Sequence, residues 1–165
     1  GRTNKASLQQ RKCSNVVGNF KITTSKMKLT FFIVTLFLTQ SVSGQKTLHL
    51  YGGQNHDVYL GCLNCNNIDQ NSIWNDIGTY GSNISSKSIW NDIGTYGSDI
   101  SNYSPFNSLA SYPPAIVDKD GNFYGYLTAN EINSKRADFK LALTICKYYK
   151  DIQKDVSGWY NKLFN

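Results

Sequence analysis

Cys62 and Cys65 form the sharpest chemical motif in the sequence, a Cys-x-x-Cys pair. Such a pair can close a structural disulfide, carry thiol–disulfide exchange or supply half of a zinc site. Redox-active cysteines usually lie at a helix N-terminus or beside a basic residue, because either lowers the pKa of the thiol. Residues 66–71, which follow, contain neither feature. A structural disulfide or a pair of unreactive thiols is therefore favoured, and thiol or metal chemistry stays as the alternative.

A zinc site at these cysteines would have to recruit His49 and His56, the two histidines of the chain. The histidines are separated by six residues and precede the cysteines, which matches no standard zinc-finger spacing. For calcium, no stretch has the dense Asp-x-Asp-x-Asp-Gly spacing of a calcium loop, and Asp120-Gly121 is typical of a hairpin turn. The sequence predicts no metal and no cofactor.

Three aromatic residues, each followed by an asparagine, are the most suggestive feature for binding. Aromatic faces beside amide groups on a repeated platform could hold sugars or the surface of another protein. That interpretation predicts that Trp74 and Trp90 are at least partly exposed. The competing interpretation makes the rings the core of a stacked repeat, in which the asparagines hydrogen-bond the turns. The pairs are Trp74-Asn75, Trp90-Asn91 and Phe106-Asn107.

Signatures of catalysis are absent from the sequence. It contains no Gly-x-Ser-x-Gly motif, no His-Glu-x-x-His motif and no phosphate-binding glycine loop. Glu131 is the sole glutamate. The sequence therefore predicts a protein that is not an enzyme.

The aromatic pairs lie on a repeat with a period of sixteen residues. Residues 72–87 recur as 88–103 with three changes, and a degenerate third copy, 104–119, has Phe106 in place of the tryptophan. Serine at the start of a copy is a favoured helix N-cap, and the glycine six residues later can adopt the left-handed C′ conformation. Each copy therefore predicts a short helical turn, a Tyr-Gly-Ser turn and a brief extended piece; one coil of a β-solenoid is the alternative. Isoleucine recurs on the same period at Ile68, Ile84, Ile100 and Ile116.

The segments on either side of the repeats predict a small antiparallel sheet and a helix. Residues 47–51 and 57–63 form a plausible hairpin, and residues 115–118 and 122–128 flank an Asp-Gly turn signal. Apolar residues between 133 and 164 recur at spacings of three, four or seven, which predicts one amphipathic C-terminal helix. The predicted fold class is α+β, with the repeat array inserted in the chain between the hairpins and packed against the sheet.

The N-terminal part of the sequence has the features of a targeting segment. Met27 is the only methionine, and it is followed by a lysine, an apolar run and small residues. This pattern is typical of a secretory signal peptide over 27–44, with cleavage after Gly44 or after Ser43. Residues 1–26 are interpreted as a non-native or untranslated leader outside the fold. Residues 45–165 are then a single mature domain, secreted or periplasmic.

The positive charge of the sequence belongs to this N-terminal part. The formal net charge is +6, but seven of the seventeen basic residues and none of the eleven acidic residues precede residue 45. Residues 45–165 therefore carry ten basic and eleven acidic side chains, a net charge of −1. Since no surplus remains to neutralise phosphates, nucleic acid is not a predicted partner.

Residues 60–128 contain an ordered series of motifs: Leu60-Gly61-Cys62-Leu63-Asn64-Cys65, two copies of Ser-Ile-Trp-Asn-x-x-Gly-x-Tyr-Gly-Ser, Ser104-Pro105-Phe106-Asn107, Pro113-Pro114 and Gly121-Asn122-Phe123-Tyr124-Gly125. This series resembles a group of uncharacterised bacterial exported proteins. A similar repeat block resembles one appended to some exported bacterial nuclease-like and other proteins, but the nuclease domain is not present here. The resemblance implies an accessory module of unknown activity, and it brings no catalytic residues.

The favoured function is a non-catalytic binding or interaction module that presents the repeat surface to glycan, cell-wall material or another protein. The alternative is an extracytoplasmic thiol–disulfide or metal-binding protein centred on Cys62 and Cys65. Asn83 and Asn102 lie in Asn-x-Ser sequons, which matter only in a glycosylating eukaryote. The predicted ligand surface consists of Trp74, Asn75, Trp90, Asn91, Phe106 and Asn107.

Overall fold

A four-stranded antiparallel sheet is the regular framework of the computed structural model, which describes residues 44–165. The leader at 1–26 and, apart from Gly44, the predicted signal peptide lie outside the described residues. Two C-terminal helices follow the sheet in the chain, so the predicted α+β class is confirmed. The strands have the order β2-β1-β3-β4. The elements are β1 Leu48–Gly52, β2 Val58–Cys62, β3 Ala115–Asp118, β4 Phe123–Tyr126, α1 Lys140–Lys154 and α2 Val156–Phe164.

Both predicted hairpins are present, and alternation of side chains explains which face of the sheet is buried. Leu50 on β1 is paired with Ile116 on β3, and both side chains are fully buried with Leu60 of β2. Successive residues of a strand point to opposite faces, so the neighbours of these residues lie on the outer face. Gly121 has a φ of 81°, as the predicted turn after Asp120 requires.

The β3–β4 hairpin is held by the carboxylate of Asp118, whose side chain is almost completely buried. It accepts hydrogen bonds from the backbone N–H groups of Asp120 and Asn122, each at 2.9 Å, and from the Tyr124 hydroxyl at 3.0 Å. The Lys46 ammonium donates to it at 2.9 Å. The Asn122 amide, Lys46 and Tyr124 hold the pKa of Asp118 well below its usual range because their hydrogen bonds favour the ionised form.

Between the two hairpins, residues 63–114 form a succession of tight turns. They contain no helix and no strand beyond a single bridge between Cys62 and Ser72. The serine that opens each copy accepts a hydrogen bond from the backbone N–H two residues later, at 3.0–3.1 Å. The short helical turn predicted for each copy is therefore wrong, since the serine hydroxyl closes a turn instead of capping a helix.

The glycines of the repeat act differently from the prediction. Gly78 and Gly94, expected in the left-handed conformation, are not among the glycines with positive φ. Instead, Gly81 and Gly97 are the positions that cannot carry a side chain. A Cβ at Gly81 would overlap the carbonyl oxygen of Asn75, and a Cβ at Gly97 would overlap that of Asn91. Glycine is required there for close approach of two backbone segments rather than for a special φ.

Residues 130–136 repeat the hydrogen bonds of the turn region, which the sequence did not indicate. The Asn130 side chain accepts from Ile132 N at 3.1 Å, as Ser98, thirty-two residues earlier, accepts from Ile100 N at 3.5 Å. The Asn133 side chain accepts from the N–H two residues later at 2.9 Å. Both asparagines therefore close turns before α1 begins.

The single helix predicted over 133–164 is two helices. The backbone of Asp155 leaves the helical region, with a φ of −152°, and its carboxylate accepts from Gly158 N at 2.8 Å as the N-cap of α2. The predicted apolar stripe does face the core, and Ile145, Ile152 and Val156 are buried. None of the helices among the described residues is long and apolar enough to cross a membrane.

Candidate functional site

The Cys62–Cys65 pair is a disulfide at the junction between the sheet and the first copy of the repeat. Cys62 is fully buried, its N–H donates to the Asn71 carbonyl and its carbonyl accepts from Ile73 N. The Ser72 hydroxyl donates to the Cys65 carbonyl at 3.2 Å. Because the two sulfurs are bonded to each other, the zinc alternative loses its ligands. Among residues 44–165 there is no group of three or more His, Cys, Asp or Glu that could hold a metal.

Cys146, the remaining cysteine of the described residues, is a buried free thiol on α1. Burial raises its pKa to about 12, against a weaker opposing effect of the Arg136 guanidinium. The thiolate is the reactive form of cysteine, and at this pKa it is scarcely populated near neutral pH. Thiol exchange at Cys146 therefore has no support in the structure.

The two indole rings of the repeat are interior side chains. Trp74 and Trp90 have 0% exposure, so the partial exposure that the binding interpretation required is wrong. Each indole N–H reaches a backbone carbonyl of the preceding segment, at 2.8 Å to Leu63 and 2.5 Å to Ile73. The rings pack on one another with centroids 5.5 Å apart. They stabilise the turns as a buried aromatic stack, and no face is left for a ligand.

Phe106 extends this stack and the asparagines fasten it. The Phe106 ring lies 5.9 Å from that of Trp90 and 4.3 Å from that of Tyr149 on α1. The amides of the three repeat asparagines each donate to the carbonyl six residues earlier, at 3.1–3.2 Å. The structure therefore brings the residues of the predicted ligand surface together, but not as a surface. The three rings are buried in the core, and the three asparagine amides hydrogen-bond the turns.

Large aliphatic side chains of these turns are almost completely exposed, and nothing in the sequence marked them as a surface. Each follows an Asn or Ser by two residues, and six of the seven donate their N–H to that side chain. Because the Asn or Ser folds back onto the chain, the residue two positions later projects outward. We call these seven residues the aliphatic set: Ile68, Ile77, Ile84, Ile93, Ile100, Leu109 and Ile132, with exposures of 82–92%.

The residues that directly precede the aliphatic set in the chain are acidic or polar. Four of the seven preceding residues are acidic, none is basic, and the other three are Asn67, Asn83 and Ser108. The acidic four are Asp76, Asp92, Asp99 and Glu131.

A cleft of about 620 Å³ lies between the turns and α1 and is bordered by Ile84 and Ile93 of the aliphatic set. Across the cleft, Gln153 donates to the Gly97 carbonyl at 3.2 Å, and an exposed ion pair joins Lys150 to Asp99 at 3.4 Å. A smaller concavity bordered by Ile77 adjoins it and shares Asn83, Gln153 and Lys154 with it. Three members of the aliphatic set thus face one continuous depression.

These features define an α+β domain in which a disulfide-anchored run of turns carries an exposed aliphatic surface. No family model, no curated protein and no solved structure matches the chain. The function of the domain is therefore inferred from its surfaces.

Proposed function

We propose that residues 45–165 are a non-catalytic, extracytoplasmic interaction module that binds another protein through the aliphatic set. The observation that carries the proposal is the exposure of seven large aliphatic side chains at one equivalent turn position. Burial of one such side chain is worth about 1.5–3 kcal/mol, and this domain forgoes it at every one of these positions. A partner surface that covers them would recover that free energy in binding, and Ile77, Ile84 and Ile93 border adjoining depressions where one partner could reach them.

Recent duplication does not explain the aliphatic set. The copies 72–87 and 88–103 differ at three positions, so their shared isoleucines carry little information. The third copy, however, keeps five of sixteen residues and still has Leu109 where the first two have Ile77 and Ile93. Ile132 occupies the same turn position outside the recognised copies, in a segment of different sequence. An aliphatic residue therefore persists where the rest of the repeat has diverged.

A protein is the partner that this chemistry fits best. Sugars are held by exposed aromatic faces beside polar groups, and the rings of the repeat are buried, so the platform expected for glycan or cell-wall material loses its basis there. Aliphatic tips enter apolar sockets of a protein, and the flanking carboxylates of Asp76 and Asp92 favour sockets with Lys or Arg at the rim. The net charge of −1 over 45–165 argues against nucleic acid.

The extracytoplasmic compartment is supported by the chemistry of the cysteines. A disulfide such as Cys62–Cys65 is stable in oxidising compartments and rare in a reducing cytosol. The pattern of residues 27–44 is typical of a signal peptide, and the interpretation of 45–165 as the exported part follows from it. Both observations support an exported interaction module.

The test is site-specific photo-cross-linking in the host that naturally produces the protein. A benzophenone amino acid replaces Ile84 or Ile93 in two variants and Asn161, an exposed residue of α2, in the matched control. We expect one discrete cross-linked product from positions 84 and 93 and none from position 161. The product should disappear when Ile77→Ser and Ile100→Ser are added, because these changes remove neighbouring members of the aliphatic set.

Tryptophan fluorescence of each variant serves as the folding control, since two of the three indoles are buried. The proposal fails if no discrete product forms at positions 84 and 93 while the fold is intact. It also fails if the same product forms at position 161, which would indicate unspecific proximity.

A further inference from the structure

The outer face of the sheet carries a second depression, of about 650 Å³, that is separate from the aliphatic set. Its walls are formed by rings from β1, β2 and the turn between them, and its floor by two small residues of β3. We call it the sheet pocket. Its lining comprises His49, Tyr51, His56, Tyr59, Asn71, Ala115, Val117, Asp118, Lys119 and Gly121.

The strand register explains why aromatic rings surround the small side chains at the bottom of the sheet pocket. Leu50 and Ile116 point into the core, so the residues on either side of them point outward. Tyr51 is paired with Tyr59 on one side and with Ala115 on the other. In this row of three paired residues, the large rings of Tyr51 and Tyr59 lie beside the small side chain of Ala115. The difference in side-chain size creates the depression on the outer face.

The walls of the sheet pocket are held in place by contacts behind them. His56 has a φ of 53° and its Nε2 donates to the Pro113 carbonyl at 3.0 Å, so the proton of this imidazole lies on Nε2. The Tyr59 hydroxyl is hydrogen-bonded to His49 Nδ1 at 3.0 Å, and its ring lies 5.0 Å from that of Tyr80. Burial raises the pKa of Tyr59 to about 12, so its hydroxyl keeps its proton at neutral pH. The pocket is thus formed before any ligand arrives.

The polar groups of the sheet pocket lie at its edge. The carboxylate of Asp118 is turned toward Lys46 and Asn122, which use its oxygens. By contrast, neither the Asn71 amide nor the Lys119 ammonium makes a side-chain hydrogen bond within the part of the chain that the structure describes. Ring faces in the walls are therefore combined with an unused amide and an unused cation at the rim.

We infer that the sheet pocket binds a saccharide, with a sugar ring stacked on the tyrosine walls. The C–H face of a pyranose packs against aromatic rings, and its equatorial hydroxyls would meet the Asn71 amide, the Lys119 ammonium and the phenol groups. The volume lies in the range typical of small-molecule sites. A proline-rich peptide also uses aromatic grooves, but it offers no array of hydroxyl groups to the Asn71 amide, the Lys119 ammonium and the phenol groups.

Saturation-transfer NMR on the unlabelled exported protein tests the inference. The probes are cellotetraose, chitotetraose, maltotetraose and tetragalacturonate, each up to about 10 mM, which detects even weak binding. Decaproline is the competing probe. We expect saturation transfer to at least one tetrasaccharide and none to decaproline.

Two substitutions locate the site by opposite means. Tyr51→Ala removes one ring from the walls of the pocket, and Val117→Trp fills the floor without removing any ring. Each substitution should lower the affinity for the tetrasaccharide by about tenfold or more. The matched control is Tyr148→Ala, which removes a partly exposed ring from α1, far along the chain from the pocket, and should leave affinity unchanged. Ile93→Ser should also leave it unchanged, which separates this site from the aliphatic set.

The inference is overturned by any of three results. One is the absence of transfer to all four tetrasaccharides with the wild-type protein. Another is binding that survives both Tyr51→Ala and Val117→Trp. The third is transfer to decaproline alone, which would identify the pocket as a peptide site.

Discussion

Ile89 and Ile93 belong to the same copy of the repeat, and they should respond in opposite ways to the same substitution. Ile89 is 0% exposed and Ile93 is 90% exposed. Ile89→Ala removes buried methyl groups from a packed core, which should lower the free energy of unfolding by about 2–5 kcal/mol. Full burial of such a side chain contributes about 1.5–3 kcal/mol, and Ile93 is only about one-tenth buried. Ile93→Ala should therefore lower the free energy of unfolding by only about 0.2–0.3 kcal/mol.

The measurement is equilibrium unfolding in urea under non-reducing conditions, followed by tryptophan fluorescence. The chemistry removed is identical in both variants, so any difference reports the environment of the side chain. The slope of unfolding free energy against urea should stay the same, since a change in slope would indicate an altered folded or unfolded state. Ile73→Ala and Ile77→Ala repeat the experiment in the first copy, where the exposures are 0% and 91%.

A loss of more than about 1 kcal/mol for Ile93→Ala would refute the reasoning, since substitutions at exposed positions usually change stability by less than about 0.5 kcal/mol. It would show that the side chain is covered within the domain, and the aliphatic set would no longer be available to a partner. A small loss for Ile89→Ala would instead show that the turns are not packed around a core. Either result would remove the basis of the proposed interaction surface.

Three further predictions concern the interior. The pKa of Asp118 is depressed in the folded protein, so its contribution to stability is present above the ordinary carboxylate pKa and is lost as pH falls toward the folded value. Asp118→Asn should therefore lower the urea midpoint at pH 7 and reduce the loss of stability between pH 5 and about pH 2; an unchanged acid profile would contradict this assignment. Cys65→Ser should cost about 2 kcal/mol, the chain-entropy value for so short a loop, and added reductant should then have no further effect on the urea midpoint of this variant. Cys146 should react with Ellman's reagent at pH 8 only after unfolding, because its pKa is about 12 in the folded state; rapid labelling of the native protein would show that the thiol is accessible.

The hairpins could be predicted from sequence because local features decide them. Asp120-Gly121 sets the β3–β4 turn, and alternation assigns Leu50 and Ile116 to the same buried face. Neither inference needs information from a distant part of the chain. The apolar stripe of the C-terminal segment was predictable for the same reason, but the break at Asp155 was not, since an N-cap at that point interrupts a periodicity that continues across it.

The conformation of the repeat could not be predicted because the same residue types serve two local structures. A serine before two apolar residues can cap a helix, or it can close a short turn by accepting the N–H two residues later. Ser72 closes a turn in this way, with the N–H of Trp74. Exposure of Trp74 depended on a distant segment, since Phe164 of α2 packs on its ring at 5.7 Å. The period of sixteen located the aromatic residues correctly, but it carried no information on which side of the turn faced solvent.

The turn geometry separates the residues that fold the domain from those that are free to bind. In the second copy of the repeat the Asn91 amide N–H donates to the Ser85 carbonyl and holds the preceding turn, and its amide oxygen accepts from the N–H of Ile93, whose side chain is exposed. Stability therefore depends on the buried rings and amides, and the aliphatic set contributes little to it. Substitutions such as Ile93→Ser can change the proposed binding surface at almost no cost to the fold. A repeat built in this way can change its exposed side chains while the core that supports them stays the same.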